Sequence, residues 1–122
     1  MAASAAAIVL IVEDELLVRE YAAEMLEAAG YATLQARDAE EAIAILEERD
    51  DIRIVFTDVQ MPGSMDGLRL AAVIRNRWPP VELIVTSGQP APRDGLLPAR
   101  AKFIPKPYSE TGLVGVIAPM LE

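Results

Sequence analysis

The sequence predicts a single α/β domain built on a doubly wound parallel β-sheet. Its short apolar runs lack polar alternation, which is typical of strands covered on both faces. Most of these runs are followed by apolar residues at helical spacing, and the successive units share no sequence repeat that would indicate a solenoid. Strands that alternate with helices favour right-handed parallel connections. A chain of 122 residues can bury one core, so we expect one domain over residues 1–122.

The individual elements follow from these patterns. Strands are predicted at 8–12, 32–36, 54–57, 83–86 and 101–104. Helices are predicted at 15–29, from 38 to about 49, from 66 to 78 and, as a short and marginal closing helix, at 109–121. Asp14 is the candidate N-cap of the first helix, Gly30 its stop, and 38–41 resembles a capping box.

The stretch 89–100 departs from this alternation. It contains Pro90, Pro92, Gly95 and Pro98, which interrupt helical hydrogen bonding. We therefore expect at most one or two helical turns, around 94–97.

Composition excludes several functions. The chain has no cysteine and no histidine, which rules out disulfides, thiolate chemistry and histidine-based catalysis, and leaves no usual zinc ligand set. A net charge of −8 without a Lys/Arg cluster argues against direct nucleic-acid binding and favours a protein partner. The N-terminus lacks a basic region, and the run at 8–12 is too short for a signal peptide or a membrane span. We expect a cytoplasmic protein with a frayed leader and no membrane contact.

Reactive side chains follow the predicted strands. Glu13 and Asp14 follow the first strand, Asp58 the third, Ser87 the fourth and Lys106 the fifth. The carboxyl ends of parallel strands share one edge of a sheet, where ligands bind. Clustered carboxylates repel one another unless a cation joins them, and an all-oxygen set suits Mg²⁺. Each residue alone is explained as a cap or a turn, but together they indicate a phosphoryl site with Asp58 as the nucleophile.

Four segments in chain order resemble a known family. They are Ile-Val-Leu-Ile-Val-Glu-Asp-Glu, Thr-Asp-Val-Gln-Met-Pro-Gly, Thr-Ser-Gly and Phe-Ile-Pro-Lys-Pro-Tyr. This set is similar to the receiver domain of two-component response regulators, and the similarity covers nearly the whole chain. It implies a flavodoxin-like five-stranded sheet in the order 2-1-3-4-5. It also implies phosphorelay signalling, in which the protein catalyses only its own phosphorylation and dephosphorylation.

The resemblance implies roles for individual residues. Asp58 would accept a phosphoryl group from a histidine kinase or a phosphotransfer protein. Mg²⁺ would be bound by Asp14, Asp58 and the carbonyl group of Gln60, with Glu13 acting through water. An unidentified output protein would then recognise the phosphorylated form. The protein itself would be a monomer or a weak dimer.

Three further positions concern the response to phosphorylation. Lys106 would pair with the phosphoryl oxygens, Ser87 would turn to bond one of them, and Phe103 matches the switch aromatic of the family. Thr86 is the rival for the hydroxyl role, but Ser87 is preferred because a small residue, Gly88, follows it.

Two departures from the family pattern stand out. The loop after Asp58 is one residue longer than its commonest form. The family places a helix between the fourth and fifth strands, where this chain has the proline-rich stretch 89–100, so we expect that helix to be short or replaced by a loop. The usual output and dimerisation face would change with it.

Other interpretations remain open at this point. The chain is interpreted first as a stand-alone phosphoacceptor, because no effector domain follows Glu122, and second as a domain excised from a hybrid kinase. A Mg²⁺-dependent phosphatase of the haloacid dehalogenase type is disfavoured. Such enzymes usually need a second acid two residues after the nucleophile, and here that position is Gln60. A flavin or nucleotide module is disfavoured because no glycine-rich loop follows the first strand.

Overall fold

The computed structural model describes residues 6–93 and 95–121 and contains a five-stranded parallel sheet in the order β2-β1-β3-β4-β5. The strands are β1 (Ile8–Val12), β2 (Ala32–Ala36), β3 (Ile52–Asp58), β4 (Glu82–Ser87) and β5 (Lys102–Pro105). The helices are α1 (Leu16–Ala28), α2 (Ala39–Glu48), α3 (Gly67–Arg77) and α4 (Glu110–Met120). The predicted flavodoxin-like strand order is confirmed.

Helices cover both faces of the sheet. Leu10 and Val12 of β1 pack in a core cluster with residues of α2 and α3, whereas Val9 and Ile11 pack in a second cluster with residues of α1 and α4. Successive side chains of a strand point to opposite faces, so a strand between two helical layers must be apolar at every position. This explains why β1 is a continuous apolar run.

The predicted helix starts at 15, 38, 66 and 109 coincide with the N-cap residues of the four helices, but the capping residue of α1 differs from the prediction. The Asp38 side chain accepts the Glu41 N–H at 2.9 Å, and the Asp66 side chain accepts the Arg69 N–H at 2.9 Å. The predicted cap Asp14 is wrong, because the N-cap of α1 is Glu15, which makes no side-chain capping bond. The carboxylate of Glu13 instead accepts the Glu15 N–H at 3.0 Å.

Three strands differ from their predicted ranges at both ends, and β3, β4 and β5 each end one residue later than predicted, at Asp58, Ser87 and Pro105. β3 begins at Ile52, two residues earlier than predicted, because the exposed Arg53 interrupts the apolar run without ending the strand. β4 extends by one residue at each end, to Glu82 and Ser87, and β5 begins one residue later, at Lys102. The pairing of Ser87 with Pro105 brings the ends of β4 and β5 together.

Between β4 and β5 the described residues form no helix, as the prolines predicted. Asp94, within the predicted turns at 94–97, and residues 1–5 of the predicted leader at 1–7 lie outside the described residues. Arginine side chains anchor this connection: Arg75 donates from Nε to the Ala99 carbonyl at 2.8 Å and from Nη1 to the Val81 carbonyl at 2.8 Å. Arg100, which has a φ of 66°, donates to the Pro79 carbonyl at 2.7 Å. Side-chain donors therefore hold a segment that lacks a helical ladder.

The closing helix α4 has 11 residues and lies within the predicted range 109–121. The Ser109 side chain accepts the Gly112 N–H at 3.0 Å and caps the helix, while Leu113 and Ile117 are fully buried. Burial of this apolar face offsets the poor helix propensity of its glycines. Among the described helices, none combines the length and the apolar character needed to cross a bilayer.

Candidate functional site

Backbone hydrogen bonds continue past the strand ends and hold the candidate residues at one edge of the sheet. The Glu13 N–H donates to the Ala36 carbonyl at 3.0 Å, and the Lys106 N–H donates to the Ser87 carbonyl at 2.9 Å. The Val59 N–H, directly after Asp58, donates to the Thr86 carbonyl at 2.9 Å. The main chain at these positions is therefore fixed by neighbouring strands.

Three carboxylates meet at this edge. Glu13, Asp14 and Asp58 each offer an oxygen within 4.8 Å of the others. Glu13 and Asp58 are buried, being 4% and 6% exposed, whereas Asp14 is exposed to solvent. Negative charges this close repel one another, and burial increases the cost because little water screens them.

Lys106 supplies a positive charge to this cluster. Its Nζ donates to Asp58 Oδ2 at 2.7 Å and to Glu13 Oε1 at 3.0 Å. Partial burial alone would lower the pKa of Lys106, but the hydrogen bonds to Asp58 and then to Glu13 outweigh it, so the pKa is raised. The ammonium group therefore stays charged across the physiological pH range.

Glu13 is the carboxylate whose ionisation is most perturbed. Burial raises its pKa from 4.5 to about 7, although the Glu15 N–H and Lys106 both favour the ionised form. The neighbouring Asp58 carboxylate acts in the same direction as burial. A cation bound at this edge would reverse the effect, since it favours the charged form of every adjacent carboxylate.

The start of α3 approaches the site closely through Gly67, which lies at the beginning of the helix predicted from 66 to 78. The Gly67 N–H donates to the Val59 carbonyl at 2.9 Å. A β-carbon on Gly67 would overlap the carbonyl oxygen of Asp58 and lie 2.9 Å from the Cα of Val59. Only glycine therefore allows the first residue of α3 to contact the end of β3. A glycine after a capping Asp was the available signal, but its contact could not be identified from sequence.

The donor set fits a hard divalent cation. All candidate ligands are oxygens, two of the carboxylates are buried, and Asp14 lies at the open side. Asp14 and Gln60 both line a cleft of about 540 Å³ that also includes Asp66. The Gln60 N–H donates to Asp58 Oδ1 at 3.2 Å, which places the Gln60 main chain beside the carboxylates. Oxygen ligands with room for water are what Mg²⁺ prefers.

Ser87 and Thr86 occupy different environments. The Ser87 hydroxyl donates to Gln60 Oε1 at 2.8 Å and accepts the Gln89 N–H at 3.0 Å. Thr86 lies opposite Asp58 in the register of β3 and β4, and its buried hydroxyl has no partner among the described residues. Ser87 is thus the hydroxyl connected to the loop after Asp58.

Phe103 lies away from the carboxylates. It pairs with Val85 in the register of β4 and β5 and is partly buried. Its side chain packs against the core cluster on the α2 and α3 face, which also includes Leu97 from the β4–β5 connection. Phe103 therefore shares its packing environment with the segment that replaces a helix.

A second cleft, which sequence reasoning did not identify, opens beside Lys106. It has a volume of about 510 Å³ and is lined by Leu17, Val18, Tyr21, Lys106, Pro107 and Tyr108. Tyr108 packs edge-to-face on Phe56 with ring centroids 5.3 Å apart, and burial raises its pKa to about 12. Leu17 and Tyr21 are 79% and 61% exposed. The cleft joins an exposed apolar surface of α1 to the candidate site.

Sequence comparison extends these findings. The family model of the response regulator receiver domain matches residues 9–118. The chain is 39% identical over 123 aligned residues to the sensor kinase CckA of Brucella abortus, covering 98% of this chain and 13% of that protein. It is 31% identical to the response regulator protein FleR of Pseudomonas aeruginosa, covering 93% of this chain and 24% of that protein. The chain thus spans less than a quarter of the length of either curated relative.

Solved structures agree with this assignment. The receiver domain of the hybrid histidine kinase CckA superposes with a TM-score of 0.81 at 34% identity, covering 94% of this chain and 99% of that one. The response regulator TrrA of Thermotoga maritima, solved in complex with Mg²⁺ and BeF, gives a TM-score of 0.85 at 26% identity, covering 93% and 98%. With the fold, the acidic edge and the match over residues 9–118 in agreement, the chain belongs to the receiver domain family of two-component response regulators.

Proposed function

We propose that this protein relays a signal by accepting a phosphoryl group on Asp58 in a Mg²⁺-dependent reaction. The observation that carries the proposal is the buried Asp58 carboxylate, bound by Lys106 at 2.7 Å and adjacent to Glu13 and Asp14. A carboxylate held between a fixed cation and a set of metal ligands is suited to phosphoryl transfer. The proposal agrees with membership of the receiver family.

The chemistry requires little beyond positioning. A carboxylate oxygen of Asp58 attacks the phosphorus of a phosphohistidine, the P–N bond breaks, and the histidine leaves with its electron pair. Lys106 neutralises charge on the transferred oxygens through its ammonium group. Glu13, Asp14, Asp58 and the Gln60 carbonyl would hold Mg²⁺, which supplies electrostatic stabilisation of the phosphoryl oxygens when bound. Attack of water on the same phosphorus would break its bond to the Asp58 oxygen, release inorganic phosphate and return the free carboxylate.

The phosphoryl donor is proposed to be a histidine kinase or a histidine phosphotransfer protein. It must bring its phosphohistidine to Asp58, so its surface must lie against the rim of the site. The cleft between α1 and Lys106 provides an apolar rim there, with Leu17 and Tyr21 largely exposed. Apolar patches next to a reactive centre are typical of protein docking surfaces. The supporting feature is continuity, since Lys106 belongs to both the cleft and the carboxylate cluster.

The output is proposed to be a contact with an unidentified protein. The phosphoacceptor itself is proposed to be a monomer or a weak dimer in the cytoplasm. Ser87 connects the site to the β4–β5 connection, and Phe103 packs against the cluster that includes Leu97 of that connection. A phosphoryl group adds about −1.5 to −2 charge and new acceptor oxygens. Movement of Ser87 and Lys106 toward the phosphoryl group would reposition the β4–β5 connection, where few backbone hydrogen bonds oppose movement.

Intact-mass measurement after incubation with acetyl phosphate and Mg²⁺ tests this function. One added phosphoryl group is expected in the native protein and none in Asp58→Asn. Asp50→Asn, which changes an exposed acid in the α2–β3 turn, is the matched control and should be labelled normally. Undiminished labelling of Asp58→Asn would overturn the assignment.

A further inference from the structure

The hydrogen bond between Ser87 and Gln60 joins the end of β4 to the loop that follows Asp58. Ser87 is 2% exposed, and its Oγ donates to Gln60 Oε1 at 2.8 Å. The same oxygen accepts the Gln89 N–H at 3.0 Å. A hydroxyl carries only one proton to donate, so the proton of Ser87 is committed to the Gln60 side chain.

This commitment conflicts with the proposed role of Ser87. To bond a phosphoryl oxygen on Asp58, Ser87 must donate that same proton and must therefore release Gln60. We propose that the Gln60 side chain is a positioning residue that locks the Ser87 hydroxyl in its resting orientation. The inference rests on the proposed phosphoacceptor function of Asp58. It identifies the contact that opposes rotation of the Ser87 hydroxyl toward a phosphoryl group.

Gln60 is well placed for this role because it contacts both the phosphoacceptor Asp58 and the hydroxyl of Ser87. Its N–H donates to Asp58 Oδ1 at 3.2 Å, while its side-chain oxygen accepts from Ser87. A phosphoryl group on Asp58 alters the carboxylate that positions the Gln60 main chain. The same group offers Ser87 a charged acceptor, which is a stronger partner than a neutral amide oxygen.

The strength of the lock follows from ordinary hydrogen-bond energetics. A neutral hydrogen bond of this kind changes an equilibrium constant by roughly 2- to 10-fold. That is enough to keep the hydroxyl in the resting orientation but too little to resist a charged phosphoryl acceptor. The Gln60 side chain thus sets how readily phosphorylation moves Ser87.

The lock also controls the β4–β5 connection. Gln89 is held by the Ser87 hydroxyl and lies two residues into the chain that follows β4. When Ser87 turns away, the Gln89 N–H loses its acceptor. Release of Gln60 and release of Gln89 are therefore two consequences of one side-chain rotation.

Calorimetric titration with Mg²⁺ and beryllofluoride, a stand-in for the phosphoryl group, tests the lock. Gln60→Leu keeps a side chain of similar size without an acceptor and should bind beryllofluoride roughly 2- to 10-fold more tightly than the native protein. Asn76→Leu changes an exposed amide on α3 in the same way and should leave the affinity unchanged. In a Ser87→Ala background, Gln60→Leu should have no further effect, whereas in Ser87→Thr, which keeps the hydroxyl, its effect should return.

A measurement on the resting protein separates the lock from the phosphoacceptor function. Without Mg²⁺ and beryllofluoride, the NMR resonances of the Gln60 carboxamide should shift in Ser87→Ala and not in Asn76→Leu. Failure of the native protein to bind beryllofluoride would overturn the phosphoacceptor function and the proposed role with it. If the native protein binds beryllofluoride, equal or weaker affinity in Gln60→Leu would overturn the lock alone. The same conclusion would follow if Gln60→Leu had its full effect in the Ser87→Ala background.

Discussion

The ammonium group of Lys106 lies 2.7 Å from the Oδ2 atom of Asp58, although 48 residues separate them in the chain. The same nitrogen contacts Glu13, so one cation balances two buried carboxylates. Removing one partner of a buried ionic cluster leaves uncompensated charge, which costs more than the net contribution of the contact. The stability of this sheet edge in the metal-free protein therefore depends on Lys106.

Lys106→Met should destabilise the metal-free protein at pH 7 by roughly 1–3 kcal/mol, because Glu13 and Asp58 lose their shared cation. Urea unfolding in the presence of a chelator measures the change. Lys102→Met removes an exposed lysine from β5 and should change stability by less than about 0.5 kcal/mol. Equal effects of the two substitutions would show that the cluster does not depend on Lys106.

Glu13 should make the metal-free protein lose stability as the pH rises. Burial raises the folded-state pKa to about 7 from 4.5, so the folded protein holds this proton more tightly than the unfolded chain does. The resulting contribution is complete below pH 4.5 and is lost as the pH rises through about 7. The unfolding free energy of the native protein minus that of Glu13→Gln, measured from pH 4 to 8, should therefore fall as the pH rises, because only the native protein loses this contribution. Parallel curves would contradict the prediction.

Mg²⁺ should raise the melting temperature of the native protein but not that of Asp14→Ala. A ligand that binds only the folded state stabilises it by mass action, and only the folded state gathers the three carboxylates. Asp14→Ala should also raise the stability of the metal-free protein by relieving repulsion. Scanning calorimetry over a Mg²⁺ series measures both effects. An unchanged metal response in Asp14→Ala would place the cation elsewhere.

Gly67→Ala should destabilise the protein by roughly 1–3 kcal/mol, since the added methyl group overlaps the main chain at Asp58. Gly115→Ala provides the control, because a β-carbon there meets nothing within 4 Å and the residue lies inside α4. That substitution should be neutral or stabilising by up to about 1 kcal/mol. Similar unfolding free energies for the two variants would mean that α3 tolerates a side chain at its contact with β3.

Hydrogen exchange should detect the proposed response of the β4–β5 connection. Beryllofluoride with Mg²⁺ should change amide protection most between residues 88 and 103, because Ser87 carries the movement into this segment. The same experiment on Ser87→Ala serves as the control and should show a smaller change there. Changes confined to the loop after Asp58 would exclude this segment as the output surface.

The sequence predicted the sheet and the edge at which the reactive residues lie for simple physical reasons. A strand covered on both faces must be apolar throughout, which located β1, and parallel strands place their carboxyl ends together, which grouped Glu13, Asp58 and Lys106. The prolines after β4 predicted a short helix or a loop in that segment, because the missing N–H of a proline is a local property.

Other features depend on distances that arise only in the folded chain. The bond between Gln60 and Ser87 joins residues 27 positions apart, and nothing local marks either side chain as the partner of the other. Aspartate is a common N-cap residue, which favoured Asp14, but in the folded chain the carboxylate of Glu13 accepts the N–H of Glu15 instead. The contact of Gly67 with β3 likewise depends on the path of the intervening loop.

The most direct test of the central claim is to locate the phosphoryl group. The protein is phosphorylated with acetyl phosphate and Mg²⁺, treated with borohydride, which reduces an acyl phosphate to the alcohol, and then digested and sequenced by mass spectrometry. The account predicts a reduced side chain at position 58 and at no other acidic residue, and no reduction when Mg²⁺ is replaced by a chelator. Reduction at Glu13 or Asp14 with Asp58 intact would contradict it.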